Sequence, residues 1–214
     1  MDWHPTKRLL ATCSRDKSIW IWEYDEDLEF QCHEVLNGHS QDVKMVKWVP
    51  GADYQLVSAS YDDTIKLWEA EDDEWICKQT LSEHSSTVWS IAFAFKGKYM
   101  ITGSEDTSVK VFTKLPSGDK YAFSLNISGY HERTVYSVDA SPIDPRIIAS
   151  AGGDDSLCLY LLKEPQTSDD NLSFDLIENR PLAHSADLNC VKFHPKLRLI
   201  ATCSDDCEIK LWTY

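Results

Sequence analysis

Serine, histidine and aspartate recur together in this 214-residue chain, as His39, Ser60 and Asp62 and again as His184, Ser204 and Asp206. These are the residue types of a nucleophilic triad, in which a base activates a hydroxyl and a carboxylate orients the base. Multiplicity argues against that chemistry. A catalyst needs one activated serine beside one oxyanion hole, whereas this set occurs twice and returns in altered form, with Phe112 ending one copy and Gly152 and Tyr160 replacing members of another. Adjacent carboxylates such as Asp62 and Asp63 have the types for general acid–base work, yet tight-turn chemistry accounts for them without a reaction. The expectation is a protein that is not an enzyme.

The seven cysteines are an odd number and form no CxxC, which points to a reducing compartment. Cys13 and Cys203 fill the same slot in ATCSRD and ATCSDD, and Cys32 and Cys77 each stand four residues before equivalent leucines, Leu36 and Leu81. Such positions read as small buried strand residues rather than ligands. No metal site and no cofactor are assigned.

The elements that must position these residues are visible as a repeat. LLATCSRDKSIWIW, LVSASYDDTIKLW, MITGSEDTSVKVF, IASAGGDDSLCLY and IATCSDDCEIKLW end at Trp22, Trp68, Phe112, Tyr160 and Trp212, with pitches of 46, 44, 48 and 52 residues. Within each, apolar residues alternate with period two, as half-buried strands require. Ile19 and Ile21, Ile65 and Leu67, Val109 and Val111, Leu157 and Leu159, and Ile209 and Leu211 share one strand face, and an aspartate stands six residues before every terminal aromatic. The class is all-β, a single domain over 1–214 with units at about 1–36, 37–81, 82–128, 129–182 and 183–214.

Composition narrows the partners. A formal charge of −14, from 21 basic and 35 acidic residues, opposes direct nucleic-acid binding. No apolar run approaches the roughly 20 residues of a membrane span, and MDWHPTKR lacks a secretory leader. Acidic runs such as YDEDLEF and EAEDDEW read as solvated loops.

The pitch and the His, Asp and Trp spacing resemble the WD-repeat family, whose fold is a β-propeller. The resemblance implies a buried hydrogen-bonded chain in each unit. It assigns one complete set to His39, Ser60, Asp62 and Trp68, and another to His184, Ser204, Asp206 and Trp212. It also implies a rim face, formed by the residues just before the turn aspartates and by those opening each first strand. Arg15, Tyr61, Glu105, Gly153 and Asp205 take the first kind of position; Asp42 and Lys44, Thr87 and Trp89, Thr134 and Tyr136, and Asp187 and Asn189 take the second. The expected partner-binding residues are Arg15, Asp42, Lys44, Tyr61 and Trp89, with Glu105, Tyr136, Asn189 and Asp205. Arg15 stands out because the other repeats put Tyr, Glu, Gly and Asp in its slot.

MDWHPTKRLLATCS aligns with VKFHPKLRLIATCS, so the first unit begins inside a strand, and the last has no outer strand after Trp212. The expectation is five blades of an incomplete seven-bladed ring. LLATCSRDKSIWIWE, HSQDVKMVKW, SASYDDTIKLW, DDEWICKQTL and HSSTVWSIAF are similar to the WD-repeat proteins of cytosolic iron–sulfur protein assembly. That resemblance implies a scaffold whose partners are the other subunits of a cytosolic iron–sulfur targeting complex and client apoproteins, in the cytoplasm and also the nucleus. A general WD-repeat adaptor, such as a ubiquitin-ligase substrate receptor, is the alternative.

Overall fold

The computed structural model describes residues 1–72, 74–167 and 170–214. Among these are nineteen strands and one short 3-10 turn, Phe95–Gly97. The strands form five antiparallel sheets. The first contains β1 (Asp2–Trp3), β2 (Leu9–Cys13), β3 (Ser18–Tyr24) and β4 (Phe30–Asn37); the second β5 (Val43–Trp48), β6 (Gln55–Ser60), β7 (Ile65–Glu71) and β8 (Glu74–Leu81). The third contains β9 (Val88–Ala94), β10 (Tyr99–Ser104), β11 (Val109–Lys114) and β12 (Tyr121–Ile127). The fourth contains β13 (Val135–Ala140), β14 (Ile147–Gly152), β15 (Leu157–Lys163) and β16 (Ser173–Arg180); the fifth β17 (Leu188–Phe193), β18 (Leu199–Ser204) and β19 (Ile209–Thr213). In each sheet the strands pair in chain order.

Two compact units are present, one of Met1–Trp89 with Ser117–Lys120, the other of Ser90–Pro116 with Tyr121–Tyr214. In the first, the inward residues Ile19 and Ile21 of β3 pack with Val46, Trp48, Leu56 and Trp68. In the second, Ile101, Val109 and Val111 share a core with Val138 and Ile148, while Leu157 and Leu159 pack with Leu188, Val191 and Ile200. The expected pair Ile209 and Leu211 differs: they are 77% and 69% exposed. They do share a strand face, but no described element covers it.

Each turn before a third strand is built identically. Asp16, Asp62, Asp106, Asp154 and Asp206 accept the backbone N–H two residues on, from Ser18, Thr64, Ser108, Ser156 and Glu208. The intervening residue is left-handed every time, with φ of 72°, 66°, 68°, 61° and 67° at Lys17, Asp63, Thr107, Asp155 and Cys207. None of these is glycine, so the aspartate bond must help hold a backbone conformation that side chains disfavour.

Neighbouring first strands are joined by a carboxylate. Asp2 accepts the Trp48 N–H at 2.9 Å and the Lys47 ammonium at 3.0 Å; Asp139 accepts the Phe193 N–H at 2.9 Å and the Lys192 ammonium at 3.0 Å. Asp2 and Asp139 thus play equivalent seam roles, each within its own unit.

Gly152 occupies a slot held by serine in every other repeat, but a Cβ there would lie 2.8 Å from Thr134 O and 2.9 Å from His131 Nδ1. Restoring the repeat with Gly152→Ser is therefore expected to destabilise the protein by about 1–3 kcal/mol. Urea denaturation checks this, and an unchanged midpoint would refute the crowding argument.

Candidate partner-binding surface

Two sets of β-bulges shape the sheets. The first lies where the third strand meets the fourth, with register shifts at Ile21/Trp22, Leu67/Trp68, Val111/Phe112 and Leu159/Tyr160. A bulge re-aims the side chain beside it, and in the second to fourth sheets the aromatic at the shift is buried.

There it meets the hydrogen-bond network. Trp68 Nε1 donates to Ser58 Oγ at 2.9 Å, Ser58 pairs with His39 Nε2 at 2.7 Å, and His39 Nδ1 lies 2.8 Å from Asp62. Trp212, Thr202, His184 and Asp206 repeat the chain at 2.8 Å per link. The linking hydroxyls are Ser58 and Thr202, not Ser60 and Ser204 as the resemblance implied. Ser60 and Ser204 lie one pleat repeat nearer the turn, where they donate to the carbonyls of Asp42 and Ala186 and accept the N–H of Asp62 and Asp206.

The fourth sheet, read as altered, joins His131, Ser150 and Asp154 in the corresponding way, but Ser150 Oγ donates to the Tyr160 hydroxyl where the second and fifth sheets have an indole donating to the linking oxygen. A hydroxyl ten residues before the terminal aromatic, at Thr12, Ser58, Thr102, Ser150 and Thr202, was the sequence signal for this role.

Bond directions order the protons. Because the ionised Asp62 carboxylate can only accept, His39 Nδ1–H donates to it, and Nε2 of the neutral ring then accepts from Ser58, which accepts in turn from the indole. Burial pushes the His39 pKa down, consistent with a neutral imidazole. Asp62 moves the other way. Burial would raise its carboxyl, but bonds from Thr64, the Ser40 N–H and His39 outweigh that and hold it at about 2. Ser58 is fully buried with its oxygen engaged on both sides, so it offers no accessible nucleophile.

His184, Asp206 and Glu208 also offer ligand atoms within 4.8 Å of one another. Their partners are already internal: His184 bonds Asp206, and Glu208 pairs with Lys210 at 3.2 Å.

Cysteine exposure departs from expectation. Cys32, Cys77 and Cys203 are exposed because they stand on outer strands or on an uncovered sheet face, whereas Cys13 is half-buried and packs against the first core.

The second set of bulges lies between first and second strands, at Val43/Met45, Val135/Ser137 and Leu188/Cys190. The extra residues that these shifts insert are Lys44, Tyr136 and Asn189, all three named from the sequence as rim residues.

In the first unit, the Lys44 ammonium sits 4.1 Å from the Tyr61 ring centre and 4.8 Å from that of Trp89, and the two rings meet edge to face at 5.5 Å. Cation–π contact fixes the lysine between them. Arg15, 91% exposed, places Nε 3.5 Å from Asp42 Oδ2. An ion pair so open to water contributes little stability, so the guanidinium is free to exchange its partner at small cost.

In the second unit, Asp187 accepts from Arg133 Nη1 at 3.0 Å and from Tyr136 Oη at 3.3 Å, while Asn189 Nδ2 donates to Asp205 Oδ1 at 2.5 Å. Gly153 packs so closely that a Cβ would stand 3.1 Å from the Tyr136 ring. Glu105 is exposed at the turn after β10. Sequence reasoning missed Arg133. The signal was the one that singled out Arg15, since the equivalent slots hold Gln41, Ser86 and Ala186.

The chain matches the family model "WD domain, G-beta repeat" over residues 1–23, 30–69, 75–113 and 178–213. It is 38% identical to the probable cytosolic iron-sulfur protein assembly protein Ciao1 of Culex quinquefasciatus, in an alignment covering 99% of this chain and 93% of that protein. Similarity to the probable cytosolic iron-sulfur protein assembly protein 1 of Vanderwaltozyma polyspora is 37% over 99% of this chain and 62% of the relative. For the namesake from Chaetomium globosum it is 33% over 73% and 44%. The chain thus spans less than two thirds of the length of these last two relatives.

Proposed function

Because the chain belongs to the WD-repeat family and, within it, to the cytosolic iron-sulfur protein assembly proteins, we propose that it is a non-catalytic scaffold helping transfer iron–sulfur clusters to apoproteins. The observation that carries this reading is the likeness to the mosquito protein along nearly the whole chain. The local geometry is compatible with it. Bulges turn Lys44, Tyr136 and Asn189 out of register, and aromatic and guanidinium groups of the kind enriched in interface hot spots surround them.

The proposed partners are the other subunits of a cytosolic iron–sulfur targeting complex and its client apoproteins, met in the cytosol and also in the nucleus. The net charge of −14 disfavours nucleic acid as a direct partner. No helix among the described residues is long and apolar enough to cross a membrane. The proposed partner-binding residues are Arg15, Asp42, Lys44, Tyr61, Trp89, Glu105, Tyr136, Asn189 and Asp205.

Affinity capture from a cell extract tests the proposal. The wild-type chain is expected to recover iron–sulfur targeting subunits, and Arg15→Glu to reduce their recovery by roughly tenfold without altering thermal stability. Recovery of ubiquitin-ligase subunits alone would instead make the chain a substrate receptor.

A further inference from the structure

β17 and β18 bring two thiols face to face. Cys190 and Cys203 are direct partners in the antiparallel register, so their side chains leave the same face of the sheet opposite each other. The pair differs from Cys32 and Cys77, which stand opposite Trp22 and Trp68 in the strand register rather than opposite another cysteine.

Access is asymmetric in a useful way. Cys203 is exposed, while Cys190 is half-buried, with its sulfur 3.9 Å from Ser137 Oγ. That same serine oxygen accepts the Val191 N–H, so the Cys190 backbone is held at the junction between β13 and β17. Opposed residues in antiparallel strands have Cβ atoms about 4.5–5.5 Å apart, close to the roughly 3.5–4.5 Å of a disulfide. The bulge immediately before Cys190 adds local twist through which the remaining gap can close.

We propose that Cys190 and Cys203 are a redox-sensitive dithiol that closes reversibly to a disulfide by exchange with low-molecular-weight disulfides. The exposed Cys203 thiolate attacks one sulfur of the external disulfide, breaking its S–S bond and releasing one thiolate. Cys190, deprotonated in turn, attacks the Cys203 sulfur of the mixed disulfide and expels the second. Two protein thiols are oxidised, one external disulfide is reduced to two thiols, and the two protons pass to the departing sulfurs.

Partial burial and the facing Cys190 sulfur hold the Cys203 thiol above its ordinary pKa. Little thiolate is present at neutral pH, so closure should accelerate between about pH 7 and 9. The new bond would lie beside Asn189 and Asp205, which are hydrogen-bonded to each other on the proposed partner surface.

The experiment uses the full chain and glutathione disulfide in the absence of oxygen, followed by an acid quench, alkylation and tryptic mass mapping. Lys192, Lys196 and Arg198 separate Cys190 from Cys203, and fragmentation of the peptide over residues 199–210, which carries both Cys203 and Cys207, assigns the cross-linked sulfur. The Cys190–Cys203 cross-link is expected at roughly tenfold lower glutathione disulfide than adducts on Cys32 or Cys77, because the second thiol is already in place. Dithiothreitol should reverse it, and Cys190→Ser should stop at a glutathione adduct on Cys203. A lasting adduct on Cys203 of the wild-type chain, or cross-links shared indiscriminately among the seven cysteines, would overturn the proposal.

Discussion

Asp62→Ala is expected to destabilise the second sheet by roughly 3 kcal/mol, a large share of the roughly 5–15 kcal/mol by which folded proteins are stable. The carboxylate accepts the Ser40 N–H at 2.9 Å, the Thr64 N–H at 3.1 Å and hydroxyl at 2.6 Å, and the His39 ring at 2.8 Å. Removing it leaves the buried His39 ring and the half-buried Thr64 without their acceptor, while the exposed Ser40 N–H can turn to water, and the desolvation penalty of the buried groups exceeds the net value of any single bond.

The same side chain imposes a pH dependence. Its folded pKa is depressed from 3.8 to about 2, so its contribution is fully present above about pH 4. It is lost as pH falls through 2, and at 9% side-chain exposure the shift corresponds to roughly 2 kcal/mol. Urea denaturation of wild type and variant from pH 7 to 2 checks both statements. The two curves should converge toward acid, and parallel curves would show that Asp62 acts without its charge.

Trp68→Ala should be costlier still, by about 4 kcal/mol. The indole is 3% exposed and packs with Val46, Leu56 and Leu36. Its loss leaves both a cavity and a buried serine short of its donor. Trp68→Phe separates the two effects, since it retains most of the packing but not the N–H. About 1–2 kcal/mol is expected for it. Hydrogen exchange of the β5 to β7 amides localises the damage, and equal losses for both variants would mean that the hydrogen bond, not the packing, carries the tryptophan.

Sheet boundaries were legible because strand alternation and a turn aspartate are properties of consecutive residues. The linking hydroxyl was not. Ser58 and Ser60 lie on one face of β6 two residues apart, so alternation alone cannot say which meets the indole. The bulge at Leu67/Trp68 re-aims the tryptophan and has no residue signature of its own, so only the hydroxyl recurring ten residues before each terminal aromatic marks the linking position. Tyr160 was likewise read as a departure from pattern, although its hydroxyl reaches Ser150 at 3.2 Å and completes the chain. Lys44, Tyr136 and Asn189 were found by their place in the repeat. What turned them out of the strand, the extra residue in the first pair, became visible only in the register. Exposure of Ile209, Leu211 and Cys203 depends on what covers a sheet face, which no local pattern encodes.

The carboxylates of Asp2 and Asp139 address the main chain of the following sheet, at Trp48 N and Phe193 N. An amide is present whatever side chain the neighbour carries. The main-chain half of such a joint survives substitution on its far side, so a repeat can drift in sequence while its predecessor still grips it, even where the ammonium that Lys47 and Lys192 add is lost. Repeats as unlike as VKMVKW and LNCVKF can therefore follow the same kind of joint, which leaves their outward residues free to diverge toward different partners.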